Sequence, residues 1–249
     1  MITSAPRSCV PTDLALKHTY DYRAIYVDPR LIERSLNVGH WAVLDGQPVE
    51  QRLLRLRRWL RLGGGWKHLQ RHLSRNVHGR FIAPGDWDHQ YAPFTIRATV
   101  RDLFVNGLDA RDTAEYKKLR DWIVAGEFAW TRGCRTIDDV DRYFEELIEL
   151  YDAIRIGGYR TQLELGNDGA DEIRVCIDRD GRLCIFGGGT HRLSIARLLG
   201  LSSVPVVIKR VHPRWVERCR SVYGTSDVQE AVARGIATLQ VEALEPRAP

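Results

Sequence analysis

The chain has 249 residues, with 37 Lys and Arg against 32 Asp and Glu, a net charge of +5 and a pI near 9.0. Its composition, 44% apolar and 28% charged, is that of an ordinary globular protein and excludes a disordered or fibrous chain. No apolar run approaches a membrane span and the first twenty residues hold no signal-peptide core, so the expectation is a cytoplasmic protein with no membrane partner.

Residues 1–19, with Pro6 and Pro11, read as a flexible arm. Ala24 to Val27 reads as a short strand, followed by a helix or turn from Arg30 to Leu36. Residues 49–62 place Leu53, Leu56, Trp59 and Leu60 on one broad helical face, which Gly63-Gly64-Gly65 interrupts. Those glycines lack the GK[ST] ending of a P-loop and read as a hinge or cap. From Gln51 to Gly85 there is no acid, while arginines accumulate from Arg52 to Arg80. This basic stretch complements the acidic helices expected at 111–121 and 138–152. A nucleic-acid, membrane-surface or anionic-substrate patch is the alternative.

Residues 84–93, bounded by Pro84 and Pro93, read as a loop carrying Asp86, Trp87 and Asp88. Residues 111–125 read as a helix capped by Asp112 or Thr113. Thr136-Ile137-Asp138-Asp139 opens the clearest helix: Thr136 can cap, the two acids suit the first turn, and Val140, Phe144, Leu147, Ile148, Tyr151 and Ile154 form a stripe. Gly157-Gly158 ends it. Asp178-Arg179-Asp180-Gly181 is hairpin-turn chemistry. That register pairs Ile177 with Leu183 and Val175 with Ile185, and sets Cys176 opposite Cys184. The five cysteines (Cys9, Cys134, Cys176, Cys184, Cys219) show no metal-type spacing and read as free thiols in a reducing compartment. Beyond Trp215 the chain reads as helix, with a disordered end past Leu244.

The most informative stretch follows the hairpin. A strand over Arg182–Phe186 runs into Gly187-Gly188-Gly189, then a helix over Leu193–Leu199 stopped by Gly200, then an apolar strand over Val204–Ile208. A strand–glycine turn–helix unit points backbone N–H groups and the positive end of the helix dipole at whatever occupies the turn, and this favours an anion, most often phosphate. His191 and Arg192 would add cationic donors there. A structural turn with Thr190 as the helix cap is the simpler alternative. Phosphoryl transfer further requires a carboxylate and a metal. Asp86 and Asp88 are the first candidates, as base and metal ligand, followed by Glu164, Asp171 and Glu172. His212-Pro213-Arg214-Trp215 either stacks on a nucleotide base or packs as a strand-ending turn. His68, His72 and His78 lack partners at zinc-ligand spacing.

Several of these motifs stand in the order seen in a known superfamily. Phe186-Gly187-Gly188-Gly189-Thr190-His191-Arg192 compares with the sulfiredoxin Phe-Gly-Gly-Cys-His-Arg turn. Leu150-Tyr151-Asp152-Ala153-Ile154, the hairpin, Leu199-Gly200 and Val204-Pro205-Val206 follow the pattern of ParB-like domains and free-serine kinases. From about Thr136 to Arg214 the chain resembles the ParB/sulfiredoxin superfamily. The resemblance implies that Gly188, Gly189, Thr190, His191 and Arg192 grip nucleotide phosphates, of ATP as in sulfiredoxins and serine kinases or of CTP as in ParB proteins. Thr190 stands where sulfiredoxins carry their catalytic cysteine, so sulfinic-acid reduction is not expected. The ParB helix-turn-helix DNA reader is not evident after Trp215.

The expected fold is therefore α+β: a small mixed sheet within a nucleotide-binding core at 136–215. A flexible arm at 1–19, a mainly helical region at 20–135 and a C-terminal helix and tail at 216–249 complete the chain. The expected activity is ATP- and Mg²⁺-dependent phosphate transfer to a small hydroxylated acceptor, activated by Asp86 or Asp88. A non-catalytic nucleotide-dependent switch, or a DNA-associated ParB-like protein, is the alternative.

Overall fold

In chain order the elements are α1 (Thr12–Tyr20), β1 (Ala24–Val27), β2 (Arg34–Leu36), β3 (Tyr91–Pro93), α2 (Ala98–Phe104), α3 (Ala114–Val124), α4 (Ile137–Gly157), β4 (Ile173–Ile177), β5 (Leu183–Ile185), α5 (Thr190–Leu198), β6 (Val204–Val211), α6 (Pro213–Tyr223) and α7 (Val228–Leu244). They come from a computed structural model that describes residues 12–20, 23–36, 81–128, 132–166 and 172–244. The expected helix at 49–62, its glycines, the arginine run, the three spaced histidines and the two chain ends lie outside the described residues.

The strands form one mixed sheet in the order β1-β6-β4-β5-β2-β3, within an α+β fold. β6 lies inside the sheet, next to edge strand β1, antiparallel to β1 and parallel to β4, and it is buried along nearly its whole length. Its near-continuous apolar run has this cause, since a strand covered on both faces has no polar face to show. The β4–β5 hairpin adopts the expected register, with Val175 opposite Ile185, Cys176 opposite Cys184 and Ile177 opposite Leu183. Gly181, at φ 82°, makes the turn. Cys134, Cys176, Cys184 and Cys219 are buried thiols.

Three expectations need correction. The arm at 1–19 is helical from Thr12, and α1 buries Leu16 and Tyr20 in the main core. Residues 30–36 form a 3-10 turn (Pro29–Leu31) and then β2, and residues 84–93 form a 3-10 turn (Trp87–Gln90) and then β3. Three of the six strands thus come from the region read as mainly helical. β1 lies where the sequence reads a strand, over Ala24–Val27, whereas β2 and β3 are three residues long, too short to display an alternating pattern, and exist through their pairing, β2 on β5 and β3 on β2.

α4 follows its sequence closely. Thr136 Oγ1 accepts from Asp139 N, while Asp139 Oδ2 accepts from Thr136 N, a complete capping box. Val140, Phe144, Leu147 and Ile154 are buried, whereas Ile148 is exposed. Thr113 caps α3, its Oγ1 accepting from Tyr116 N.

α5 is wedged between two cores. Leu193 and Ala196 join the apolar face of the sheet, while Ile195 faces the helical layer of α2, α3 and α4. A helix held from both sides has little freedom to tilt, so its N-terminus is a fixed point in the molecule.

Candidate functional site

The glycine turn is built by the end of the hairpin. Phe186 N donates to Arg174 O at 2.7 Å, and Arg174 N donates to Gly188 O at 3.5 Å, so the chain leaves β5 alongside the start of β4. Gly187 and Gly189 sit at φ 82° and 86°, a region that side chains rarely adopt. Gly189 has a second reason to be glycine: a Cβ there would lie 2.7 Å from Ile173 Cα. At Gly188 a Cβ would meet the Arg174 Nε at 3.4 Å, which places that guanidinium beside the turn.

Gly189, and not Thr190, is the N-cap of α5, and no side chain caps the helix. The first N–H groups of α5 therefore open onto the turn with the helix dipole behind them. Gly187 to Arg192 are all half-buried, and full burial begins at Leu193. The mouth is a rim, not an apolar plug.

The two side chains expected to supply positive charge behave differently. His191 points into a polar cluster with Glu115, Arg132, Arg97 and Tyr143, its Nε2 lying 3.4 Å from the Tyr143 hydroxyl. Burial, then the repulsion of Arg132 and Arg97, overrides the attraction of Glu115 and lowers its pKa to about 4. At neutral pH His191 is an uncharged anchor and not a cationic donor. Glu115 is occupied too: it accepts from Thr99 Oγ1 and pairs with Arg132 at 2.5 Å. Arg192 points the other way, toward Tyr159 and Glu172, where burial raises both pKa values and the charge of Arg192 opposes that rise. Among the described residues, Arg192 and Arg174 are cations beside the turn, the latter not anticipated. Its signal was available, because Arg174 is the charged residue in an otherwise apolar β4 and lies next to the exit of the hairpin.

Comparison with known proteins returns no match: no family model, no curated protein and no solved structure. The site is read on its own chemistry.

Asp86 and Asp88 are not at the turn. Asp88, 3% exposed, receives Arg179 Nε and Nη2 at 2.6 Å each and Arg179 N at 3.0 Å, and Asp86 receives Arg179 Nη2 at 2.7 Å. Arg179 belongs to the turn that closes the hairpin, whereas Gly187 follows its open end. Five residues of strand at about 3.3 Å each put the two ends roughly 15 Å apart. Burial pushes the Asp88 pKa up, but the side-chain and backbone hydrogen bonds from Arg179 outweigh it and hold the carboxyl below the usual range. Both acids are structural clamps. His212 and Trp215 are structural as well: His212 Nδ1 accepts from Arg214 N, its other ring nitrogen lies 3.0 Å from Gly85 O, and Trp215 is buried in the main core.

Among the described residues, Glu172 is an acid close to the turn, while Asp171 lies outside the described residues. Glu172 immediately precedes Ile173, the residue against which Gly189 packs, and it is 2% exposed. Its Oε1 accepts from Gln162 N at 2.5 Å, and its Oε2 is buried with no hydrogen-bond partner. Burial raises its pKa against the opposing effects of the Gln162 N–H and Arg192. Glu164 is spent differently, accepting from Thr161 N and Oγ1, and those bonds hold its carboxyl low.

His191 makes stability pH-dependent in a defined window. Its folded pKa, about 4, lies below the unfolded value of 6.5, so between them the unfolded chain binds more protons. Stability is lost as pH falls from 6.5 toward 4, by on the order of 1–2 kcal/mol at pH 5. Urea unfolding midpoints at pH 7 and pH 5 are expected to converge in His191→Gln relative to the parent. An unchanged difference would remove His191 as its source.

Proposed function

We propose that the chain binds a nucleoside triphosphate by its phosphates at Gly188–Arg192 and transfers the terminal phosphate to a small hydroxylated acceptor. The observation that carries this is the uncapped N-terminus of α5, fed by a left-handed glycine whose Cβ position is taken by Ile173. A bare backbone there lets phosphate oxygens approach the first N–H groups of the helix, with the helix dipole adding attraction. Arg192 and Arg174 add charge at the same rim, and Arg carries a donor fork suited to phosphate. Thr190 extends the donor set by its amide, while His191 locks the first turn of α5 against the helical layer.

Mg²⁺ belongs with the nucleotide. Among the described residues no group of three His, Cys, Asp or Glu is placed to hold a metal, and Arg179 occupies both Asp86 and Asp88. Mg²⁺ commonly binds through substrate phosphates with one or two carboxylates, so the fold need not build a cage for it. The order of motifs shared with ParB-like kinases supports the same proposal.

Titration calorimetry with ATP, CTP and inorganic pyrophosphate tests it. Binding is expected to weaken in Arg192→Ala by roughly 10- to 100-fold, the range for losing a charge-assisted contact to phosphate. Absence of binding of all three by the parent chain would end the proposal. Binding without turnover across acceptors would instead favour the nucleotide-dependent switch.

A further inference from the structure

We infer that the acceptor carries a carboxylate and no ammonium group, and that Arg97 binds this carboxylate. The inference rests on the phosphotransferase reading above and names its acceptor class. Arg97 stands just before α2, and its backbone is tied to the first turn of α5. Arg97 N donates to Ser194 Oγ at 3.1 Å, and Ser194 Oγ donates to Thr190 O at 2.8 Å. About one helical turn, ~5.4 Å, separates this anchor from the amides that face phosphate. The charge of Arg97 acts on Glu115, Tyr143 and His191, so its guanidinium lies with the polar cluster on the helical side of α5, away from Arg192.

The charges of that cluster do not cancel. Two guanidiniums, Arg97 and Arg132, face the single carboxylate of Glu115, while His191 and Tyr143 are uncharged at neutral pH. Glu115 is already saturated: Arg132 pairs with its Oε1 at 2.5 Å and Thr99 Oγ1 donates to its Oε2. Arg132 reaches it from a left-handed backbone, φ 56°, which a residue with a side chain adopts at a cost. Arg97, half-buried, makes no side-chain hydrogen bond or ion pair among the described residues. One positive charge is left over, on a planar fork that matches a carboxylate. A phosphate ester, at about −1.5 to −2, would exceed it. An ammonium group would find two guanidiniums and no acceptor oxygen free on Glu115. The Arg132 side chain is 35% exposed, so the cluster opens to solvent. A hydroxy acid held there keeps its hydroxyl beside the phosphate turn, whereas an amino acid meets repulsion.

The experiment uses the full chain and three matched three-carbon alcohols: D-glycerate, L-serine, which adds an ammonium group, and glycerol, which has neither charge. Calorimetry measures each with and without adenylyl-imidodiphosphate and Mg²⁺, and transfer from ATP to each is followed in parallel. D-glycerate is expected to bind at least about tenfold more tightly than the other two and to be the preferred acceptor. Arg97→Gln is expected to weaken D-glycerate by roughly 10- to 100-fold, with nucleotide and glycerol affinities within about twofold. Arg97→Lys, which keeps the charge and loses the fork, is expected to fall between and stands in should the Gln variant fail to fold. Equal D-glycerate affinity in parent and Arg97→Gln, or a parent that prefers L-serine or glycerol, overturns the inference and leaves nucleotide binding intact. A parent that binds no ATP overturns the proposed function, and D-glycerate binding without nucleotide then still decides whether Arg97 holds a carboxylate.

Discussion

Gly189→Ala is expected to lose nucleotide binding by on the order of 100-fold or more, about 2.7 kcal/mol, and to lower the stability of the chain at the same time. Two costs add. At φ 86° an alanine carries a conformational strain of about 1–3 kcal/mol. Its Cβ would also lie 2.7 Å from Ile173 Cα, which is backbone in a central strand and cannot swing aside as a side-chain tip would. Relief requires α5 to shift away from β4, and this moves the amides that face the ligand. Gly188→Ala is the control. There φ is not positive, and the nearest atom is the flexible Arg174 side chain at 3.4 Å. Calorimetry and urea unfolding on the two variants check this, and equal behaviour would show that the left-handed turn is not what shapes the site.

Asp88→Ala is expected to destabilise the chain by about 3 kcal/mol while leaving ATP affinity unchanged. The substitution removes three hydrogen bonds to Arg179 and leaves a mostly buried guanidinium, 15% exposed, with only the exposed Asp86 as partner. The segment from Phe81 to Tyr91 would lose its charged tie to the hairpin turn and keep only the packing of Trp87 and Tyr91 on Cys176 and Cys184. Because the folded pKa of Asp88 is depressed, its contribution is complete above the unfolded value of about 3.9 and is lost as pH falls through the folded value. Urea unfolding of parent and variant at pH 7 and pH 3 should therefore differ more at the higher pH. A normally stable variant that binds ATP poorly would return Asp88 to the active site.

These two substitutions divide the molecule into features that local chemistry encodes and features that distant contacts create. The hairpin register was legible because its residues alternate and Asp178–Gly181 offers one tight way to turn. α4 was legible for the same kind of reason, a cap and a 3.6-residue stripe lying within one continuous segment. β2 and β3 were not, because three residues carry no period and these strands are defined by partners far along the chain.

At the site, the glycine turn, its left-handed backbone and the helix behind it were written in consecutive residues, since positive φ and helix capping are local properties. The identity and charge of the groups around the turn depended on packing. His191 is neutral because Arg97 and Arg132 arrive from other segments and its ring is desolvated. Asp88 is a clamp because Arg179, 91 residues later, folds onto it. Glu172 is buried because the chain around 162 folds over it, with Gln162 N donating to its Oε1. Spacing along a chain specifies dihedral angles and faces, whereas desolvation and Coulomb forces act through space among residues that folding alone makes neighbours.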